Sequence, residues 1–466
     1  MKTKPQKFKK EKKKTVSIDQ EWEMISPHAA GIDIGSKEHA VCVPKGASPE
    51  PVRTFGTFTA DLEALADWLK ECQVTTVAME ATGVYWIPVF QILETRGFEV
   101  RLVNARQTKN VAGRKTDVQD CQWIQRLHTY GLLQGSFRPE DPYCSLRSYL
   151  RYRDELISAR TTQCQHMQKA LQEMNLQLTQ VLSDVTGVSG LAIIEAIVKG
   201  ERSPLALAKL VNVRVRAKPE QIQKALVGDY RKEHLFVLAQ AYSLHQTYEE
   251  KIRECDERIV EETGKLPDKV DPLLKPLPPR KVGRSASRDK MQGQDMREVL
   301  YRKFGTDLTA IEGIGVTTTL VILTEVGPDL SCFKSEKHFA SWMGLCPDNR
   351  ISGGKVLSSH TRRVINRVSD ALRLAAFSLE RSHSAMGGYL RRMKAKLGAA
   401  EAITATAHKL ARIIYRLIKY GEAYVRQGLE VAEKKFQERK LYALRKTARS
   451  LGFDLMPKSQ PTPTAA

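Results

Sequence analysis

The chain has 466 residues, of which 42% are hydrophobic, and a net charge of +21, so it can bury more than one core and favours a polyanionic partner. Its eight cysteines are scattered with no close CxxC pair, which excludes a zinc ribbon or a disulfide scaffold as the organising feature. No 18-residue apolar run or signal segment argues for a membrane, and a reduced, cytoplasmic setting is the expectation.

In chain order, residues 1–15 carry eight lysines and one glutamate, and 1–27 reads as a basic, disordered tail. GIDIG, the polar turn SKEH and the apolar AVCV predict a hairpin. Thr59 to Lys70 is an amphipathic helix with Leu62, Leu65, Ala66 and Leu69 on one face. TTVAM is a buried strand, Val84–Arg96 is helical with Pro88 near its start, FEVRLVN is a further strand, and Asp117–Tyr130 is a helix. Strands alternating with helices after an opening hairpin predict a mixed-sheet α/β domain over 28–140.

From Leu146 to Leu178 the chain lacks proline and glycine, and apolar residues recur at helical intervals. A second long helix is expected from Arg231 to Glu262, with Leu235, Leu238, Tyr242, His245, Tyr248, Ile252, Cys255 and Ile259 as its stripe. Together they predict a coiled-coil or helical region over 141–263, paired either as an antiparallel hairpin or between subunits. The Pro- and Lys/Arg-rich stretch 264–298 reads as a flexible linker. A mostly helical domain follows at 299–425, with a helix expected to begin near Ser359, and then a basic tail at 426–466.

Several residues in this layout suggest phosphoryl-transfer chemistry. Asp33 interrupts an apolar strand, Glu80 ends another, and Asp117 and Asp120 lie three apart on one helix and so share a face. A buried carboxylate is costly unless paired or metal-bound. Four such oxygens could hold two magnesium ions, or manganese in their place, roughly 3.5–4 Å apart. Taken singly, each acid reads more readily as a solvated surface residue than as a metal ligand. Ser352 in NRISGGK precedes two glycines that would let a nucleic-acid strand approach, although by composition SGG is a plain loop. Lys37, Lys115, Lys355, Arg362, Arg363 and Arg367 are candidate phosphate contacts. The GIG turn with Gly313 and Gly315 could offer backbone N–H groups to a phosphate.

The order GIDIGSKEH, MEATGVYW, KTDVQD, IEGIG, SWMGLCPDNRISGGK and ALRLAAFSL resembles insertion-sequence transposases with an N-terminal RuvC-like DEDD domain and a C-terminal catalytic-serine domain. Members are also described as bridge-RNA-guided recombinases. The resemblance spans about residues 28–420. It implies a ribonuclease-H-like domain, a coiled coil and a serine-bearing domain. It assigns metal binding to Asp33, Glu80, Asp117 and Asp120, and attack on DNA to Ser352. It further implies donor and target double-stranded DNA, a structured non-coding guide RNA, and homodimers that pair into a tetramer in the prokaryotic nucleoid. The chain departs from the family pattern in three places, one being the absence of the glycine that many members carry just before the basic helix. Ile351 occupies the place where many relatives have a first of two serines, and the insert near 180–230 and the linker make this chain longer than compact members.

Two other readings compete. A RuvC-like endonuclease would hydrolyse DNA with water and leave Ser352 structural. A non-catalytic nucleic-acid-binding scaffold would use the basic segments and the paired helices alone.

Overall fold

Two mainly apolar runs form strands that are buried on both faces along most of their length. In the computed structural model, which describes residues 23–81, 83–104, 117–279, 286–362 and 364–456, these runs are β1 (Ala29–Ile34) and β4 (Thr76–Glu80). They pair in parallel at the centre of a five-stranded sheet. β2 (Glu38–Cys42) and β3 (Val52–Gly56) extend it antiparallel on one side, and β5 (Glu99–Val103) extends it parallel on the other, in the order β3-β2-β1-β4-β5. Three antiparallel strands followed by two parallel ones give the mixed sheet of an RNase-H-like topology.

Side-chain alternation divides this sheet cleanly. Ala30, Ile32, Ile34, Val77 and Met79 face α1 (Thr59–Glu71) and α2 (Trp86–Thr95), packing on Leu62, Leu65, Leu69, Phe90 and Leu93. Ala40, Cys42, Ala78 and Val103 face the other way, onto Cys121 and Ile124 of α3 (Asp117–Thr129). The sheet is thus sandwiched between helices. β3 was not expected from the sequence: its residues are half-buried or exposed, as an edge strand allows.

The chain divides into two compact units, Met1–Phe137 and Arg138–Ala466. In the second, α4 (Asp141–Glu173) and α9 (Lys232–Lys265) pair antiparallel within the chain, and Arg153 with Asp256 and Arg160 with Glu249 form ion pairs across them. Of the two pairings left open by the periodicity, the structure has the intramolecular one. His245 lies buried on the seam, with its ring pKa lowered by burial. Between the two helices, α5 (Leu178–Val181), α6 (Val188–Val198), α7 (Pro204–Ala208) and α8 (Pro219–Ala225) close around Met167, Leu171, Ile193, Ile194 and Leu238.

Parts of the proline-rich stretch are held in place. Lys269 N–H donates to Arg302 O at 2.8 Å, and its Nζ donates to Pro328 O at 2.8 Å. β6 (Lys290–Met291) and β7 (Gln294–Asp295) make a short hairpin before α10 (Met296–Phe304). There Arg297 and Asp307 form a buried ion pair at 2.6 Å. The remaining elements are α11 (Val316–Val326), α12 (Glu336–Trp342), the ribbon β8 (Arg350–Ser352) and β9 (Lys355–Ser358), α13 (Arg367–Ser378), α14 (Ala385–Leu397), α15 (Ala399–Tyr420) and α16 (Glu422–Ser450). Residues 426–450, expected as part of a basic tail, belong to α16.

One element starts later than expected. No helix begins near Ser359: β9 continues to Ser358, Pro347 bridges Thr361, and α13 begins at Arg367. Asn366, whose side chain accepts from Ser369 N at 3.0 Å, is the effective cap.

Candidate active site

The acidic site is built on the C-terminal ends of the two central parallel strands. The β1–β4 register runs from Ala29 opposite Thr76 to Ile32 opposite Met79. One residue further, Asp33 and Glu80 are neighbours, and by alternation both belong to the face covered by α3. Both are half-buried. Lys37 is exposed in the β1–β2 turn, at the same end of the sheet as Asp33.

The close approach of α3 is permitted by Gly31. A Cβ there would lie 2.5 Å from Cys121 O and closer still to Gln125 N, so helix backbone rests directly on strand backbone. Gln125 Nε2 donates to Ala29 O at 3.1 Å and fixes the helix along β1. Asp120 is half-buried one turn before Ile124, which packs on the sheet, and Asp117 is the first residue of α3, one turn before the buried Cys121. The Cys121 thiol is pushed up by its hydrogen bond with Cys42, then by burial, with the negative charge of Asp33 adding in the same direction.

Asp33 and Glu80 at adjacent strand ends and Asp120 on the covering helix are oxygen ligands of the type a hard divalent cation takes. Among the described residues no group of three or more carboxylate, imidazole or thiol side chains converges as a metal cage. The side chain of Asp117 lies outside the described residues, as does Lys115 altogether. Gly31, Gln125, Cys42 and Cys121 were missed as elements of this site. The glycine within an apolar strand was the available signal, since such a residue marks close backbone approach.

Ser352 sits on the second unit, at the tip of the β8–β9 ribbon. It pairs with Lys355, and the two residues between them, Gly353 (φ 56°) and Gly354 (φ 75°), both have positive φ, the pattern of a type I′ hairpin turn. The serine therefore occupies a defined turn where composition read only a loop. Arg350 through Leu357 are all exposed, Lys355 among them.

The other candidate phosphate contacts fare differently. Arg362 Nη2 donates to Ser341 O at 2.7 Å, and Arg367 Nη1 pairs with Asp154 at 2.7 Å, so a phosphate would compete with an existing partner at each. Arg363 lies outside the described residues. Gly313 (φ 83°) packs tightly: a Cβ there would meet Ala375 O at 2.8 Å, so the turn serves helix packing in the first place. Gly315 is the N-cap of α11.

Known proteins share both regions. Residues 30–176 match a transposase family of the IS110 DEDD type, and residues 305–391 match the family described as Transposase IS116/IS110/IS902. The chain is 30% identical over 130 residues to the Insertion element IS110 uncharacterized 43.6 kDa protein of Streptomyces coelicolor, covering 27% of this chain and 32% of that protein. It is 36% identical over 127 residues to "Putative transposase y4pF/y4sB" of Sinorhizobium fredii, covering 25% of this chain and 32% of that one. Each of these matches spans about a third of the relative's length. No helix among the described residues is long and apolar enough to cross a membrane. With the acid-bearing sheet matched in one tract and the serine ribbon in the other, the chain belongs to the IS116/IS110/IS902 family of transposases.

Proposed function

We propose that this chain moves an insertion sequence by cutting and rejoining double-stranded DNA through a phosphoserine at Ser352, assisted by Mg2+ (or Mn2+) held by Asp33, Glu80, Asp117 and Asp120. The observation that carries the reading is the position of Asp33 and Glu80, each one residue beyond the Ile32–Met79 pair, at the ends of adjacent parallel strands. Carboxylates at neighbouring strand ends are the ligand type that Mg2+ and Mn2+ take. The bound ions would polarise the phosphodiester and stabilise charge on the departing oxygen.

In the proposed step, Ser352 Oγ loses its proton and bonds to phosphorus while one P–O bond of the DNA strand breaks. The departing DNA oxygen takes up a proton. A second strand end then attacks the phosphoserine, restoring the hydroxyl and completing the exchange. An exposed serine beside a two-glycine turn suits this role, because the nucleophile must reach a large substrate. A structured guide RNA that selects donor and target, and a dimer that pairs into a tetramer, follow from the family resemblance and complete the proposal.

The test incubates the full chain with element-end DNA, target DNA and the element's non-coding RNA in magnesium, then denatures it and scores protein–DNA adducts. The wild type should form an adduct that Ser352→Ala and Asp33→Asn both lose. Cleavage that persists in Ser352→Ala with no adduct would replace this reading with hydrolysis by a RuvC-like nuclease. Metal-independent binding without breakage would reduce the chain to a scaffold.

A further inference from the structure

Helix α16 lies beyond both matched tracts and carries an unbalanced charge. At about 100° per residue, Lys434, Lys435, Arg439, Arg445, Lys446 and Arg449 fall within an arc of about 140°. All six are exposed, and Glu438 is the one acid in that arc. Tyr442, 72% exposed, lies among them, while Leu444 falls on the other side of the helix.

A solvated helix surface in this protein looks different. On α9, Lys251 pairs with Glu254, Arg258 with Glu261, and Lys265 with both Glu261 and Glu262. Among the described residues, none of the six cations on α16 has a carboxylate partner. Solvent and mobile counterions screen such a face in the free protein, and a polyanion that displaces the counterions gains from it.

The helix is also seated, so its direction is set by the fold. Phe436 is half-buried against α14, where a Cβ on Gly388 would come 2.6 Å from Phe436 Cζ and closer to its Cε2. A glycine inside a helix is unfavourable by roughly 0.5–1 kcal/mol, and here it admits the ring. The guanidinium of Arg392 lies 6.0 Å over the same ring. Nearby, Lys409 sits 4.5 Å over Tyr389, and its pKa is lowered by burial first and then by Arg392 and Arg412. Arg412 is answered by Glu336, but among the described residues no carboxylate pairs with Arg392 or Lys409. The positive field thus continues from the arm into its base.

We propose that the face of α16 from Lys434 to Arg449, continued by Arg392 and Lys409, binds the phosphate backbone of duplex DNA without reading its sequence. The inference rests on the DNA-processing function proposed above. The face is about 22 Å long, comparable to the rise of roughly six base pairs. Lysine and arginine engage phosphates regardless of sequence, and a tyrosine hydroxyl can do the same.

The test uses full-length protein with Arg439, Arg445, Lys446 and Arg449 all changed to Gln, and measures affinity for a non-cognate DNA duplex as salt rises from about 50 to 200 mM. Each lost phosphate contact should reduce the slope of log K against log salt by about 0.9, so the variant's slope should fall by roughly 3–4. Affinity at low salt should drop at least about tenfold, and thermal unfolding should be unchanged. A control with Lys251→Gln and Arg258→Gln on α9 should leave the slope as it is. Equal slopes for variant and wild type, or an equal loss in the control, would overturn the proposal. So would a loss seen only with duplex RNA or anionic vesicles while DNA binding persists. If the wild type forms no adduct yet the arm variant loses DNA affinity, the strand-transfer reading fails and the arm stands.

Discussion

The two regions that carry the proposed chemistry are built in opposite ways. Asp33 and Glu80 end strands that are covered by helices on both faces, whereas Ser352 sits on a ribbon whose residues from Arg350 to Leu357 are all exposed. The contrast follows from what each group must do. Carboxylates that hold a cation need fixed positions before substrate arrives, because reorganising them during reaction would raise the barrier. A nucleophile for a DNA strand needs access, and its positioning comes from turn geometry in place of packing. The largest effect on stability should therefore come from the sheet and the smallest from the ribbon, with activity sensitive to both.

Gly31 is where this comparison breaks most sharply. Gly31→Ala would drive a methyl group into the backbone of α3, at Cys121 O and Gln125 N, and backbone cannot rotate away as a side chain can. Overpacking of this kind costs about 3 kcal/mol, and it displaces the helix that carries Asp117 and Asp120. Denaturant unfolding should show the loss, and adduct yield should fall with it. Unchanged stability would mean that α3 does not rest on β1 as described.

A smaller effect of the same region is linked to pH. His128 is buried under the sheet, and its Nε2 lies 2.9 Å from Thr76 Oγ1, which itself donates to Glu99 O at 3.0 Å. Thr76 has one hydroxyl proton, so His128 is the donor in that contact, through Nε2–H. Burial, reinforced by Arg101, pulls its pKa down to about 4 from 6.5. Between those values the unfolded chain binds a proton that the folded chain refuses. Stability should hold above about pH 6.5 and decline as pH falls toward about 4, by roughly 1.4 kcal/mol per unit. His39, His245 and His408 are lowered by burial in the same sense, so the comparison must be with a variant. His128→Gln should flatten part of the slope in thermal melts taken across this window. An identical slope would remove His128 from the account.

Much of the sheet was legible because its central strands are buried on both faces. GIDIG and TTVAM stand out as apolar runs, and a lone aspartate in one of them is conspicuous. The edge strand β3 was not legible: VRTFG lies half in solvent and lacks a clean alternation. The long helices were visible in their stripe, but choosing between partners required the cross-pairs Arg153–Asp256 and Arg160–Glu249. In the second region, local signals conflicted. Ser358, Ser359 and Asn366 are all capping residues, and the bridge between Pro347 and Thr361 decides for Asn366 by holding the chain extended up to it. Side-chain partners such as Ser341 for Arg362 and Asp154 for Arg367 come from distant segments, which no local pattern encodes.

The ribbon gives the mildest change in stability and a direct measure of how far geometry alone positions the serine. Gly353 and Gly354 both have positive φ, a region that costs an L-residue about 1–2 kcal/mol unless it is asparagine or aspartate. Nothing lies within 4 Å of a Cβ built at either position, so a substitution there acts through the backbone and not through a clash. Gly353→Asn would create the Asn-Gly pair that type I′ turns favour, keep Ser352 opposite Lys355, and leave adduct formation near the wild-type level. Gly353→Val should open the turn and lower adduct yield about tenfold, the equivalent of roughly 1.4 kcal/mol, while the melting of both units stays unchanged because the ribbon is exposed. If valine and asparagine behave alike, the turn does not position the serine, and Ser352 would have to be fixed by the DNA itself.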